Sequence, residues 1–279
     1  MSEFLTDLSN AALANAVTEN CYAFSPYSHG WKGVEIYAGE DVNWVITDIP
    51  FPPTNCAFHT NIKPEDVDST IERFKARGIA KNMPLSWYIG PETRPLNFTE
   101  SLTAHGFTSR GDGAGMAINL QAMNESEPLP AGLEIIEVED SKTLKAWCHV
   151  AAAGFGMPAF AEPYLIKLFQ TDIKYKQPMK FFLGMLDGKP VATSNYFLGK
   201  GVVGIYFVAT LPEARNKGIG FAITQAALKA GRALGYRVGI LQASSMGQPV
   251  YTRMGFKEVC RVSSYMWLPD SMKEKEKGG

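Results

Sequence analysis

The sequence predicts an α/β fold of the mixed α+β kind, with two similar units that are each a largely antiparallel sheet flanked by helices. Three observations predict it. In the C-terminal half, strand patterns outnumber helical ones, and hairpin turns mix with strand–helix–strand crossovers. A Pro- and Gly-containing break, Asn124 to Gly132, divides the 279 residues near their middle. The N-terminal half also repeats landmarks of the C-terminal half in register.

In chain order, Pro64-Glu65 opens a helix that ends near Gly78, and Leu102-Thr-Ala-His-Gly-Phe107 leads into a strand containing Met116. After the break, the alternation of Leu133 to Val138 reads as a half-buried strand. Ser141 caps a helix carrying Leu144, Trp147, Cys148, Ala151 and Ala152 on one stripe, and a second helix runs from near Pro163 to Phe169. Met179 to Leu186 forms a strand that turns at Asp187-Gly188, a strong hairpin signal. Pro190 to Leu198 returns, Gly199-Lys-Gly201 turns again, and the apolar run from Val202 to Ala209 is a central strand. Ile219, Ile223, Ala226, Ala227, Ala230 and Leu234 form one face of a long helix stopping at Gly235. Arg237 to Ala243 is a strand, a short helix follows, and Lys257 to Leu268 is the last strand.

The internal echo is specific. Leu102 to Phe107 stands against Tyr251-Thr-Arg-Met-Gly-Phe256 at an offset of 149 residues. Pro64 to Gly78 spans 14 positions where Pro212 to Gly235 spans 23, so the first copy lacks nine residues where the second carries a glycine-rich loop. These matches predict a degenerate internal duplication, with domains at 1–125 and 126–270 and a flexible tail at 271–279.

Composition narrows the partners. Apolar residues make up 46% and charged residues 20%, values of a globular chain and not of a disordered or collagen-like one. With 27 Lys+Arg against 28 Asp+Glu there is no basic excess, so no nucleic-acid partner is expected. The four cysteines (Cys21, Cys56, Cys148 and Cys260) lie too far apart for a disulfide scaffold or zinc ribbon, which predicts free thiols and no metal. The chain opens Met-Ser-Glu without a basic leader, and its longest apolar run is about half a bilayer span, so a soluble, cytoplasmic protein without membrane contact is expected.

The chemistry concentrates in Tyr206 to Gly220, where an apolar strand ends, a loop with two glycines follows, and a helix starts at once. Backbone N–H groups at a helix start lack partners and lie at the positive end of the helix dipole. Gly218 and Gly220 let an anion approach the main chain closely, and Arg215 and Lys217 add positive charge. A P-loop would need Gly-Lys-Ser/Thr, but Lys217 precedes the glycine. A dinucleotide fingerprint would need a small residue at position 223, which is Ile, and a parallel sheet that the hairpins contradict.

The succession of strand, Arg-x-x-Gly-x-Gly loop, long helix, strand Gly239–Ser244 and Val250-Tyr-x-x-Met-Gly-Phe256 resembles the GNAT superfamily of acyl-CoA-dependent N-acetyltransferases. The resemblance covers about residues 133–268 and extends weakly to the first half. It implies that acetyl-CoA is the co-substrate and that an amine of a small molecule or peptide is the acceptor. It places the coenzyme pyrophosphate on the amides of Asn216, Lys217, Gly218, Ile219, Gly220 and Phe221, with Arg215 at the first motif position. It places the pantetheine arm along the main chain of Val208, Ala209 and Thr210, beside a strand that splays away. Ser244 stands where many members carry an asparagine. Tyr251 takes the place of the tyrosine whose hydroxyl faces the coenzyme sulfur, which makes it the general acid.

Two departures stand out. Thr210 replaces the usual valine, and the central strand reads Ile205-Tyr206-Phe207 where some members carry a glutamate base. The base is therefore water or another residue. His149 reads as a structural histidine on the helical stripe, and His59 and His105 belong to the degenerate half. Asn195 and Tyr206 are either acceptor-cleft or sheet residues. Trp87-Tyr88 and Pro50 to Pro53 read as core and turn. The resulting reading is an N-acetyltransferase. An acyl-CoA-binding module without turnover and a transferase of another acyl group are the alternatives.

Overall fold

The computed structural model describes residues 4–24, 34–170 and 178–276. Among them, residues 4–24 and 114–259 form one compact unit, and residues 34–113 and 260–276 form the other.

The strands of the larger unit lie in the order β6-β7-β8-β9-β10-β5. They are β5 (Thr108–Asn119), β6 (Leu133–Glu137), β7 (Met179–Leu186), β8 (Lys189–Gly199), β9 (Val202–Thr210) and β10 (Val238–Ala243). All neighbours are antiparallel except β9 and β10. Both hairpin turns are of the kind that matches strand twist: Asp187 and Gly188 have φ of 49° and 75°, and Lys200 and Gly201 have 55° and 76°.

Successive side chains of a strand point to opposite faces, so the sheet feeds two cores. Phe181 and Leu183 join Trp147, Leu165 and Phe169 beneath helices α4 (Ser141–Gly154) and α5 (Ala161–Phe169). Phe182, Ala192 and Tyr196 join Ile219, Ile223 and Leu228 of α6 (Ile219–Ala233), with Tyr251 and Met254 of α7 (Gln248–Met254). The cap of α4 is Asp140, one residue before the expected Ser141. Its carboxylate accepts from the Thr143 N–H at 2.7 Å, and the Thr143 hydroxyl faces back in a capping box.

Helix α1 (Asn10–Ala23) completes this unit over β8, β9 and β10. It docks through a polar residue: fully buried Asn20 donates to Gly199 O at 2.8 Å and accepts from the Tyr206 hydroxyl at 2.7 Å.

The smaller unit has strand order β1-β2-β3-β4-β11. Its strands are β1 (Glu35–Ala38), β2 (Asn43–Ile46), β3 (Cys56–Phe58), β4 (Leu85–Ile89) and the end of β11 (Lys257–Trp267). Helices α2 (Val67–Lys81), α3 (Phe98–Ala104) and α8 (Asp270–Glu276) accompany them. Its core centres on Trp87, which touches Phe74, Phe98 and Phe107 and donates its indole N–H to the Thr60 hydroxyl at 2.8 Å.

The two units have similar topologies. Each unit contains an antiparallel meander, one parallel pair (β3 with β4, β9 with β10), and a helix between the paired strands. The units are not the consecutive halves 1–125 and 126–270, however. β5 and β11 have 12 and 11 residues, long enough to serve beyond the segments they follow. Residues 114–119 of β5 complete the larger sheet beside β10, and residues 263–267 of β11 complete the smaller one beside β4.

The nine-residue shortfall resolves differently too. Gly78 lies buried inside α2, which ends at Lys81 with Asn82 left-handed at the cap. Both α2 and α6 have 15 residues, and what the first copy lacks is the stretch 215–218 between the 3-10 turn Pro212–Ala214 and the helix. The expected tail is helical through Glu276, and 277–279 lie outside the described residues.

Gly231 sets how closely α6 approaches the sheet: a Cβ there would stand 2.5 Å from Val203 Cγ2. Gly→Ala inside a helix ordinarily stabilises by about 1 kcal/mol. Val203 is fully buried and stiff at χ1, so overpacking of about 1–3 kcal/mol should prevail. Gly231→Ala is expected to lower the midpoint of urea unfolding.

Candidate active site

The site begins with an irregularity in β9. Thr193 pairs with Ala209, but Asn195 pairs with Tyr206, so two residues of β9 face one of β8. This bulge holds Phe207 at φ +49°, and the Thr193 hydroxyl donates to Phe207 O at 2.8 Å. β9 turns with it. The parallel pairing with β10 covers only Val203, Gly204 and Ile205, although β9 continues to Thr210 and β10 to Ala243. Each strand keeps its outer neighbour to its end. Tyr206 to Thr210 therefore present main-chain groups without a ladder partner on β10.

The start of α6 lies beside this gap. Gly218 occupies the cap position at φ +77° and Asn216 has φ +60°, which curl the loop around the helix end. No side chain caps this helix, unlike α4, and its first turn carries no acidic residue. The leading amides thus keep their donors and their share of the helix dipole. A Cβ at Gly218 would find only Pro130 within contact, at 3.5 Å.

A cleft of about 520 Å³ joins the two features. Its lining includes Val208, Ala209, Thr210, Arg215, Asn216, Gly218, Ile219, Gly220, Phe221, Ser244 and Tyr251, so the structure brings together all but one of the residues that the resemblance assigns to the coenzyme and to acid catalysis. The exception is Lys217, which is exposed and outside the lining.

Arg215 does not face solvent. Its Nε donates to Thr210 O and its Nη2 to Gly154 O, both at 3.1 Å, tying the end of β9 to the last turn of α4. Ser244 uses its hydroxyl to accept from the Gly247 N–H at 3.3 Å. Tyr251 is 9% exposed. Burial pushes its hydroxyl up to about 12, with a hydrogen bond to Thr224 pulling the other way. Thr224 in turn donates to Gly220 O at 2.8 Å, linking the tyrosine to the first turn of α6.

Sequence reasoning missed Gly154 and Phe155, at the end of α4, and Met246 and Arg253 around α7, which also line the cleft. Phe155 and Met246 are half or more exposed, a signal that only three-dimensional packing supplies. Among the described residues of the lining, none is a carboxylate or an imidazole.

The other candidates lie elsewhere. His149 is on the exposed face of α4, not its buried stripe, and its Nδ1 lies 3.0 Å from Glu162. His105 sits between Asp68 and Glu72 in the smaller unit. Asn195 is fully buried in β8, and Tyr206 holds Asn20. All four cysteines are free. Among the described residues, no group of three or more His, Cys, Asp or Glu is placed to hold a metal ion, and no helix is long and apolar enough to cross a membrane.

Residues 145–256 match the acetyltransferase (GNAT) family. No curated protein sequence matches the chain. Among solved structures, a GCN5-related N-acetyltransferase from Kribbella flavida is 18% identical, with 92% of this chain and 98% of that one covered at a TM-score of 0.70. A GCN5-related N-acetyltransferase from Sphaerobacter thermophilus is 16% identical over 92% and 93% of the two chains, at 0.64. A tandem GNAT protein from the clavulanic acid biosynthesis pathway is 11% identical over 94% and 95%, at 0.60. At these identities the likeness establishes a shared fold over nearly the full length. The family match at 145–256 takes in both the splayed strands and the uncapped helix start.

Proposed function

We propose that the cleft binds acetyl-CoA and that the protein moves the acetyl group to an amine of a small molecule or peptide. The observation that carries this reading is the early end of the β9–β10 pairing beside the uncapped start of α6. An extended, amide-bearing arm needs unpaired main chain, and a pyrophosphate needs unpaired donors at a positive helix end. The amides of Asn216 to Phe221 would hold the pyrophosphate, and Val208, Ala209 and Thr210 would pair with the pantetheine arm. The coenzyme supplies a thioester carbonyl open to attack by a neutral amine. A backbone N–H at the bulge, near Val208, stabilises the charge that develops on the carbonyl oxygen. Tyr251 stays protonated throughout the neutral range and donates to the departing sulfur. While it serves as the acid it is not the base, so the acceptor attacks as a neutral amine and the proton its nitrogen loses after attack passes to water.

Three outcomes test the reading. Asp is among the few residues that tolerate a left-handed backbone, and Gly218 is exposed, so Gly218→Asp should fold. Its carboxylate would occupy the anion site, and calorimetric titration should show coenzyme A affinity lowered by about 100-fold or more.

Tyr251→Phe keeps the ring contact with Phe256 and removes only the hydroxyl. Thiol release with a panel of amines should fall by about 10²–10⁴-fold, with acetyl-CoA affinity within a few-fold of wild type. Wild-type turnover in this variant, with chemistry rate-limiting, would remove Tyr251 from the mechanism.

The smaller unit lacks the counterpart of residues 215–218 and carries buried Leu102 at the sequence position that corresponds to Tyr251. The full chain should therefore bind one acetyl-CoA, and a titrated stoichiometry of two would contradict this.

A further inference from the structure

We infer that Arg253 reads the 3′-phosphate of coenzyme A and so makes the protein selective for the complete coenzyme; this rests on the coenzyme reading given above. Two arginines line the cleft. Arg215 is committed to the carbonyls of Thr210 and Gly154. Arg253 stands on α7, two residues beyond Tyr251. Its guanidinium lies 5.5 Å from the ring centroid of Phe221, in the first turn of α6 and beside the proposed pyrophosphate position.

Its ion-pair partner is a single carboxylate, one that is not itself part of the cleft lining. Arg253 Nε lies 2.7 Å from Glu127 Oε1, with the two side chains 54% and 32% exposed. Glu127 is held there by its neighbours. The Asn124 N–H donates to Met254 O, Asn124 Nδ2 donates to Arg253 O, Gln225 Nε2 donates to Asn124 O, and Glu125 pairs with Arg232 and Lys229. The segment from 124 to 127 therefore fixes an anion against the guanidinium of this lining residue.

The charges indicate what replaces that anion. Loop amides and a helix end, worth about half a unit charge, suit the pyrophosphate. A phosphomonoester brings a further charge of about −1.5 to −2, which needs a cation of its own. An exposed ion pair such as Arg253–Glu127 contributes little, so it yields readily to a more highly charged partner. The planar fork of Arg matches phosphate oxygens two at a time. Glu127 thus acts as a placeholder that keeps the guanidinium extended until the coenzyme arrives.

The test compares coenzyme A with 3′-dephospho-coenzyme A by calorimetric titration of the full chain. Wild type should prefer the complete coenzyme by about 10- to 100-fold, the scale of a charge-assisted contact. Arg253→Gln should bring the two ligands within about threefold, chiefly by weakening coenzyme A. Glu127→Gln, which frees the guanidinium without removing it, should retain the preference, and this arm stands even if the arginine variant folds poorly. Equal affinity of wild type for both ligands, or a loss of affinity for both in Arg253→Gln, would overturn the assignment while leaving the coenzyme reading intact. Binding of neither ligand by wild type would overturn both.

Discussion

The site depends on one extra residue in β9. Had Thr193 through Asn195 met their partners in unbroken register, β9 would have run straight along β10, and their ladder would have consumed the main-chain groups of Tyr206 to Thr210. The bulge prevents this at a definite cost: a phenylalanine held at positive φ is strained by about 1–3 kcal/mol. Its surroundings offset that strain. The Thr193 hydroxyl secures the Phe207 carbonyl, and the ring packs against Trp147, Phe155 and Phe169. The aromatic core under α4 and α5 thus helps to hold the cleft open.

Arg215 shows how a charge in a binding motif can serve architecture. Its guanidinium meets the carbonyl at the end of β9 and one from the last turn of α4, the negative end of that helix. It keeps the strand end and the helix end in a fixed relation, and the loop that follows inherits its starting point. The arginine that sequence reasoning passed over, Arg253, also lines the cleft but pairs with a carboxylate, that of Glu127.

The legible parts of the chain were those where local chemistry and tertiary context agree. Asp187-Gly188 and Gly199-Lys-Gly201 specified their turns because the required positive φ values restrict residue choice, and the apolar run at 202–209 is typical of a central strand, which is what it forms. The loop at 215–221 was readable because glycines at a helix start have few other uses. Helix α1 was not legible. Its buried face carries Thr18 and Asn20, so it lacks an apolar stripe, and its docking depends on hydrogen bonds to residues nearly two hundred positions away. The allocation of β5 and β11 was equally hidden, because period-two alternation identifies a strand and not its neighbour.

That exchange of strands bears on the order in which the chain can fold during synthesis. Domains usually fold as they emerge, N-terminal first. Here the N-terminal sheet lacks its strand beside β4 until residues 263–267 have been made, and its own long strand is taken by β10, which is also made late. Until then the ribosome-bound chain displays open sheet edges at β4 and β5, the kind of template on which strands from other chains add. The exchange leaves both sheets incomplete until strands from the C-terminal part of the chain have been made.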